Sequence, residues 1–508
     1  MVSEDDYLLE HRHKNTEGSS DESYYPVVQE YPSLAVAVFE NEEHRPIVMH
    51  DLYGPVMHEE GTLERQDSIV STISQVLQHE EHPDILEYPE HDDIDAGGKA
   101  TVPSEIASMA KNIIGCGVLS LSGGIARCAN APSAIWAANF WIMALGIIFG
   151  YFCYLIAKVC KMTGRTTYRG IWQKTMGHKG SMAISISNAL KAAMAELAYA
   201  SILADTIVSL LRGIGWEVPR VFCLLLVTIV GILPLCMLKD LHVLAPFSIL
   251  GTAGIVLTAI AMTIRYVDGS YLPGGQFHKD LQHFKHPSFG TYDESWSTGI
   301  LPFVCMTYEA YVMHYNSARF YTELKNRSLP RFAVAVGSSF GISALLYMAI
   351  ASMGYLTFGA NSSSFILNSY SSYDPLATLS RIAVGLSTLT AYPIVFIGVR
   401  DGVMDTFAVP ITEQTPERVN RLTYILLSIL TITAMFISDL GLINAVGGGL
   451  VATAIVFVFP TIMFRAAVHE KGTAKENRNE MVLASVLTLM GVVIGLVGVY
   501  RAIAGSFG

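Results

Sequence analysis

From Pro103 onward the chain is a succession of apolar stretches, each close to the roughly 20 residues that carry a helix across a bilayer, with short polar breaks between them. This pattern constrains the fold more than any other. Inside hydrocarbon every backbone amide must be bonded within the protein, and stretches of this length satisfy that as helices. Eleven spans are predicted, at roughly 103–126, 133–157, 182–211, 220–238, 243–265, 296–318, 331–357, 377–399, 422–438, 440–464 and 481–500. Composition agrees: 15% of the 508 residues are charged, against about 25% in an ordinary soluble domain. A soluble enzyme is excluded.

The charge is unevenly placed and divides the chain in two. Residues 1–98 hold 24 Asp/Glu and 4 Arg/Lys, a net of −20, while the remaining 410 hold 20 acids and 29 bases, a net of +9, which together give −11. The first part reads as an acidic, disordered tail, too poor in apolar surface to offset its ordering entropy. Its start lacks the basic and apolar regions of a signal peptide, which places it in the cytosol. Within it, Ile69, Ile73, Val76 and Leu77 recur at helical spacing and suggest a short docking helix. Residues 99–508 form the membrane domain. With a cytosolic start, the connections after even-numbered spans are cytosolic; they carry 18 Arg/Lys against eight on the other side. That asymmetry supports an odd number of spans. Acidity confined to a tail gives no reason to expect a nucleic-acid partner; the partners are the bilayer, a solute and whatever reads the tail. The seven cysteines lie in or beside apolar stretches without zinc spacing, so no disulfide framework or metal site is expected.

Two spans depart from a lipid-facing pattern in a matched way. The first reads KNIIGCGVLSLSGGIA, with Gly115, Gly117, Gly123 and Gly124; the sixth reads GILPFVCMTYEAYVMHYN, with Gly299, Pro302 and a polar centre at Thr307, Tyr308 and Glu309. Each is predicted to be a discontinuous helix, and the two are equivalent positions if spans 1–5 and 6–10 are inverted repeats. Half-helices of this kind turn positive N-terminal ends toward a carboxylate and free carbonyls toward a cation or amine. The plainer reading of the glycines is close helix packing. Ionisable residues inside spans are costly and mark pathways or pairs: Lys111, Glu309 and His314 beside the breaks, and Lys191, Glu196 and Asp205 in the third span. Lys191 is expected to snorkel to the cytosolic side and Asp205 to reach the lumenal end, with Glu196 either a structural partner or part of a proton route.

KNIIGCGVLSL in span 1, HYNSARFYTELKNRSLPRFAVAV from His314, GYLTFG at 354–359, DPLATLSRIAVGLSTLTAYPIVFIGVRDG at 374–402 and the glycine-rich span ending IVFVFPTIMF together resemble the amino acid/auxin permease superfamily. Within it the resemblance is to the vacuolar and sodium-coupled-type neutral amino acid transporters. It covers about Pro103 to the end; the tail has no counterpart. It implies an all-α polytopic LeuT-like fold, 5+5 inverted repeats plus an eleventh helix, and secondary active amino acid transport without a cofactor. The sequence departs from the pattern at Glu309-Ala310-Tyr311, where many relatives carry aromatic-Ala-aromatic, and at Leu121-Ser122, where Leu-Pro is common.

On that resemblance the substrate carboxylate meets amides of Gly115, Cys116 and Gly117, and its amine meets carbonyls near Thr307 and Tyr308. Sodium-coupled relatives tend to place an amide side chain one turn before the glycine pair, beside span 8 hydroxyls, here Ser387, Thr388 and Thr390. Lys111 stands there instead. Its ammonium would take the cation's place, so H+ coupling or exchange is favoured, through Glu309, Glu196 or His314, with Na+ as the alternative. A purely structural Lys111–Glu309 pair competes with this. Unpaired, Glu309 would favour cationic substrates. Glu4 with Leu8 and Leu9 fits an acidic dileucine sorting signal and points to a vacuole, lysosome or endosome, with the plasma membrane second. Asn361-Ser362-Ser363 is a sequon on the outer side, close to the membrane. Two other classes remain: an amino acid sensor signalling through the tail, and a membrane acyltransferase using His314 and Asn316, which leaves the paired breaks unexplained.

Overall fold

The computed structural model describes residues 98–238, 247–407, 409 and 414–507. The predicted tail helix and the sorting residues Glu4, Leu8 and Leu9 lie outside them. The described part is helical: α1 Val102–Ile113, α2 Leu121–Ala126, α3 Ala134–Thr163, α4 Tyr168–Met176, α5 His178–Gly213, α6 Arg220–Cys236, α7 Phe247–Val267, α8 Leu301–Tyr311, α9 Ser317–Glu323, α10 Leu329–Phe358, α11 Pro375–Thr406, α12 Pro416–Phe436, α13 Leu440–Glu470 and α14 Arg478–Phe507. Among the described residues seven helices are long and apolar enough to span a bilayer, and α1 with the segment Cys116–Ala126 makes an eighth bent by 45°. The apolar α6 is shorter, as is the stretch Gly251–Val267 of α7.

Side-chain caps set several starts. Thr101, Ser328 and Thr415 each accept from the amide three residues on, and Asp374 accepts from Leu376 and Ala377, which satisfies donors that have no helical partner. Gly164, at φ 74°, ends α3 in the left-handed region that a side chain would resist. The connection after α3 folds into the short α4, a helix the span pattern does not announce. All seven cysteines are free and buried.

α11 packs along α5 and α7, and α10 along α3 and α1. α13 is loosened into π turns at Gly447–Ala452 and Ala454–Val458. There its backbone presses on α8 so closely that a Cβ on Gly448 would fall 1.8 Å from Cys305 O. Only glycine allows that approach.

Candidate functional site: the break in the first span and its cavity

α1 stops where its sequence stops favouring helix. Ile114 still donates to Ala110 O at 2.8 Å, but its ψ of 95° and the extended Gly115, at φ −120° and ψ 175°, carry the chain out of the helix. A 3-10 turn, Cys116–Ser120, then leads into α2. The amides of residues 115–117 are thereby outside an α-helical ladder, beside a positive helix start.

The break borders a cavity of about 240 Å3 lined by Lys111, Asn112, Gly115 and Cys116 from the first span, Tyr199 from α5, Ile255 from α7, Tyr315 after α8, and Ser387, Thr388 and Thr390 from α11. It falls just below the roughly 300–1,000 Å3 usual for sites that take drug-sized ligands. Asn112, Gly115 and Tyr315 are exposed, whereas Ser120 and Ser122, beyond the break, are buried. Solvent thus reaches the break from the half of the span that follows the N-terminal segment and stops there. Thr388, beside Cys116 on the cavity wall, donates to Val384 O at 2.8 Å.

The opposite face is held shut by polar contacts. Arg127 pairs with Asp439 and reaches Ser364 at 3.4 Å. Arg220 donates to Asp205 at 2.7 Å, and Asn368 donates to the other oxygen of Asp205 at 2.8 Å. Arg265 makes a two-pronged contact with Asp374, at 2.9 and 2.8 Å, and Tyr271 donates to the same carboxylate at 2.8 Å. Asp205 therefore joins these contacts, near the C-terminal end of α5. The sequon residue Asn361 is itself engaged, donating to His286 O at 2.8 Å, and Ser362 is buried.

The sixth span is interrupted, but later than its polar centre suggested. Thr307, Tyr308 and Glu309 lie inside α8, and Thr307 Oγ1 donates back to Phe303 O at 2.9 Å. The chain leaves the helix at Val312 and Met313, then turns through His314–Asn316 into α9. The carbonyls freed are those of the last turn, from Tyr308 to Tyr311. The Thr307 carbonyl is not among them.

Two charge assignments also change. Glu309 pairs with Lys191, at 2.5 Å, with the side chains 7% and 14% exposed, so Lys191 does not snorkel and a Lys111–Glu309 pair does not form. α5 and α8 come together on opposite sides of the pair, which neutralises a carboxylate that would be costly alone. Lys111 lines the cavity and has no ion-pair partner among the described residues. Glu196 is fully buried with no charged partner among the described residues, and the hydroxyl of Tyr392 lies beside its carboxylate. His314 is also fully buried, with Nε2 2.9 Å from Phe149 O and Nδ1 unpartnered. Thus the structure gathers Lys111, Gly115, Cys116, Ser387, Thr388 and Thr390 on one cavity, while Glu309, Glu196 and His314 stand behind its wall. Tyr199, Tyr315 and Ile255 had no sequence signal of their own; they arrive from three different spans.

An all-helical membrane protein with two interrupted spans, one opening on a solvent-reached cavity, is a carrier in build. The chain belongs to the family described as transmembrane amino acid transporter protein, whose model matches residues 98–506, and it is a transporter rather than an enzyme. Among curated relatives, the putative sodium-coupled neutral amino acid transporter 11 of Danio rerio is 24% identical, covering 80% of this chain and 87% of that protein. The vacuolar amino acid transporter 2 of Saccharomyces cerevisiae is 24% identical over 60% of this chain and 62% of its own length. Human solute carrier family 38 member 8 is 24% identical, over 71% and 85%. Among solved structures, the inward-facing conformation of Mhp1 superposes with a TM-score of 0.53 at 13% identity, covering 80% of this chain and 90% of that one; it shows a shared fold.

Proposed function

We propose that the chain is a secondary active carrier that moves amino acids across a vacuolar or lysosomal type of membrane, coupled to protons or exchanging them. In this reading spans 1–5 and 6–10 are inverted repeats, an eleventh helix follows, and the N-terminus is cytosolic. The observation that carries it is the break at Ile114–Gly115, open to solvent on the side of the basic loops and sealed by ion pairs on the other. The substrate carboxylate sits on the amides of Gly115, Cys116 and Gly117. Its amine meets the released carbonyls at the end of α8, nearer Tyr308 to Ala310 than Thr307. Because Lys191 already balances Glu309, no net negative charge is left there to attract a cationic side chain, which favours neutral amino acids. Closing the inner path and parting Arg127 from Asp439 would complete the cycle.

Lys111 projects its positive charge into the cavity that also carries Ser387, Thr388 and Thr390, where a sodium ion would be repelled. The buried carboxyl of Glu196, with no opposite charge beside it among the described residues, supports its role as the proton carrier; His314, with Nδ1 bare, is the alternative. Purified full-length protein in vesicles should take up leucine when a pH gradient is imposed, equally in sodium and choline media. Uptake that needs sodium and ignores the pH gradient overturns proton coupling. Lys111→Asn should introduce sodium dependence.

Sodium coupling is the second reading, favoured by the three hydroxyls beside Gly115 and by the names of several relatives. The vacuolar relative supports the endomembrane assignment. Leu8 and Leu9 changed to Ala should shift a tagged protein to the cell surface, and unchanged targeting counts against the signal. A sensor would bind amino acids with little flux, and uptake with and without residues 1–98 separates it from a carrier.

A further inference from the structure

Both helix breaks are tied to one hydroxyl. Tyr347, on α10 and fully buried, has its Oη 2.8 Å from Ile113 O and 2.8 Å from Ala310 O. Ile113 ends α1, and Ala310 lies in the last turn of α8, so neither carbonyl has a helical N–H to receive. A phenol carries one proton. At any moment it serves one carbonyl and presents a lone pair to the other, so three oxygens converge with a single hydrogen among them. The ring cannot swing away from this post: it lies against Tyr311 at 4.9 Å, and Tyr311 is fixed by its own bond to Ile142 O at 3.1 Å.

An ammonium group has the opposite inventory, three donors and no acceptor. The backbone from Ile113 runs directly to Ile114, Gly115 and Cys116, which border the cavity. We propose that Tyr347 is a binding residue for the substrate amine: its hydroxyl holds Ile113 O and Ala310 O aimed at one point and accepts from the ammonium there. The inference rests on the carrier reading above and adds the group that recognises the amine. On binding, the phenol proton goes wholly to one carbonyl, and the ammonium donates to the other carbonyl and to Oη. No bond to carbon forms or breaks.

The test uses full-length protein in vesicles with wild type and Tyr347→Phe, which keeps the ring and its packing on Tyr311. Leucine uptake gives KM and the maximal rate. Inhibition by 4-methylpentanoate, which has leucine's carboxylate and side chain without the amine, gives a constant blind to the ammonium. The expected result is a KM for leucine raised about tenfold, with the inhibition constant of 4-methylpentanoate unchanged. An unchanged KM overturns the proposal. So does a parallel rise in both constants, which would mean general damage, and so does a Phe variant that fails to assemble, which would make the hydroxyl structural. A wild type that takes up no amino acid refutes the carrier reading itself.

Discussion

Removing the ammonium of Lys191 should destabilise the protein in a way that reverses with pH when its partner is removed instead. The pair joins α5 to α8 at 2.5 Å and is nearly closed to solvent. Glu309 Oε2 has no hydrogen-bond partner, and a Cβ on Gly447 would stand 3.1 Å from it, so α13 backs directly on the carboxylate. In Lys191→Met the carboxylate either stays ionised without a partner, which costs about 3–5 kcal/mol, or takes up a proton. From an ordinary carboxyl pKa of about 4.3, protonation at pH 7 costs about 4 kcal/mol, and at pH 5 about 1 kcal/mol. This variant binds more protons folded than unfolded, so it gains stability as pH falls. In Glu309→Gln the stranded group is the ammonium. Shedding its proton at pH 7 costs about 4–5 kcal/mol, and acid makes that harder, so this variant loses stability as pH falls. The double variant, Lys191→Met with Glu309→Gln, strands neither charge and should lie close to wild type. Thermal denaturation in detergent at pH 5, 6 and 7, followed by size-exclusion chromatography, reads all three. Single variants with the same pH slope, or a double variant as unstable as either single, would refute the pairing argument.

Three further outcomes follow from the face opposite the cavity. Asp439→Asn keeps the cap on Gly441 and Leu442 but loses the ion pair with Arg127. Because both side chains are partly exposed, the pair contributes about 0.2–1 kcal/mol, so labelling of a Ser364→Cys probe from the sealed side should rise by up to about fivefold; no rise would remove Arg127–Asp439 from that closure. Lys285 donates to Asn368 O at 2.7 Å, and burial, with Arg212 and Arg381 nearby, pulls its pKa down to about 8. Its charge therefore costs stability fully below pH 8, and the cost fades as pH rises toward 10, so Lys285→Met should raise the melting temperature at pH 6 and lose that advantage at pH 10. An equal effect at both values would exclude a charge origin. Finally, the engaged amide of Asn361, three residues past α10, should leave the sequon unmodified; a mobility shift after N-glycosidase treatment of protein from eukaryotic cells would contradict this.

What the sequence discloses depends on whether a residue acts locally or through a distant partner. The apolar runs reveal the spans because crossing hydrocarbon is a demand on each segment alone. The ends of α10, Leu329–Phe358, fall within two residues of the range read from hydropathy. The interruption at Gly115 is legible for the same reason, since glycine weakens a helix wherever it stands. The place of the interruption in the sixth span is not, because Val312 and Met313 carry no breaking residue. Contacts from elsewhere in the bundle flank that turn: Tyr347 takes the carbonyl of Ala310, and the carbonyl of Phe149 takes the ring of His314. The polar triplet Thr307-Tyr308-Glu309 looks like a weak point in isolation, but its acid is matched by Lys191, 118 positions earlier. Helix α8 can therefore run through it. The same distance hides the choice between Lys111 and Lys191, because both are lysines in apolar helices and only the crossing of α5 with α8 decides which one meets the acid. That decision leaves the ammonium of Lys111 free to face the cavity, where sodium dependence in Lys111→Asn would register it.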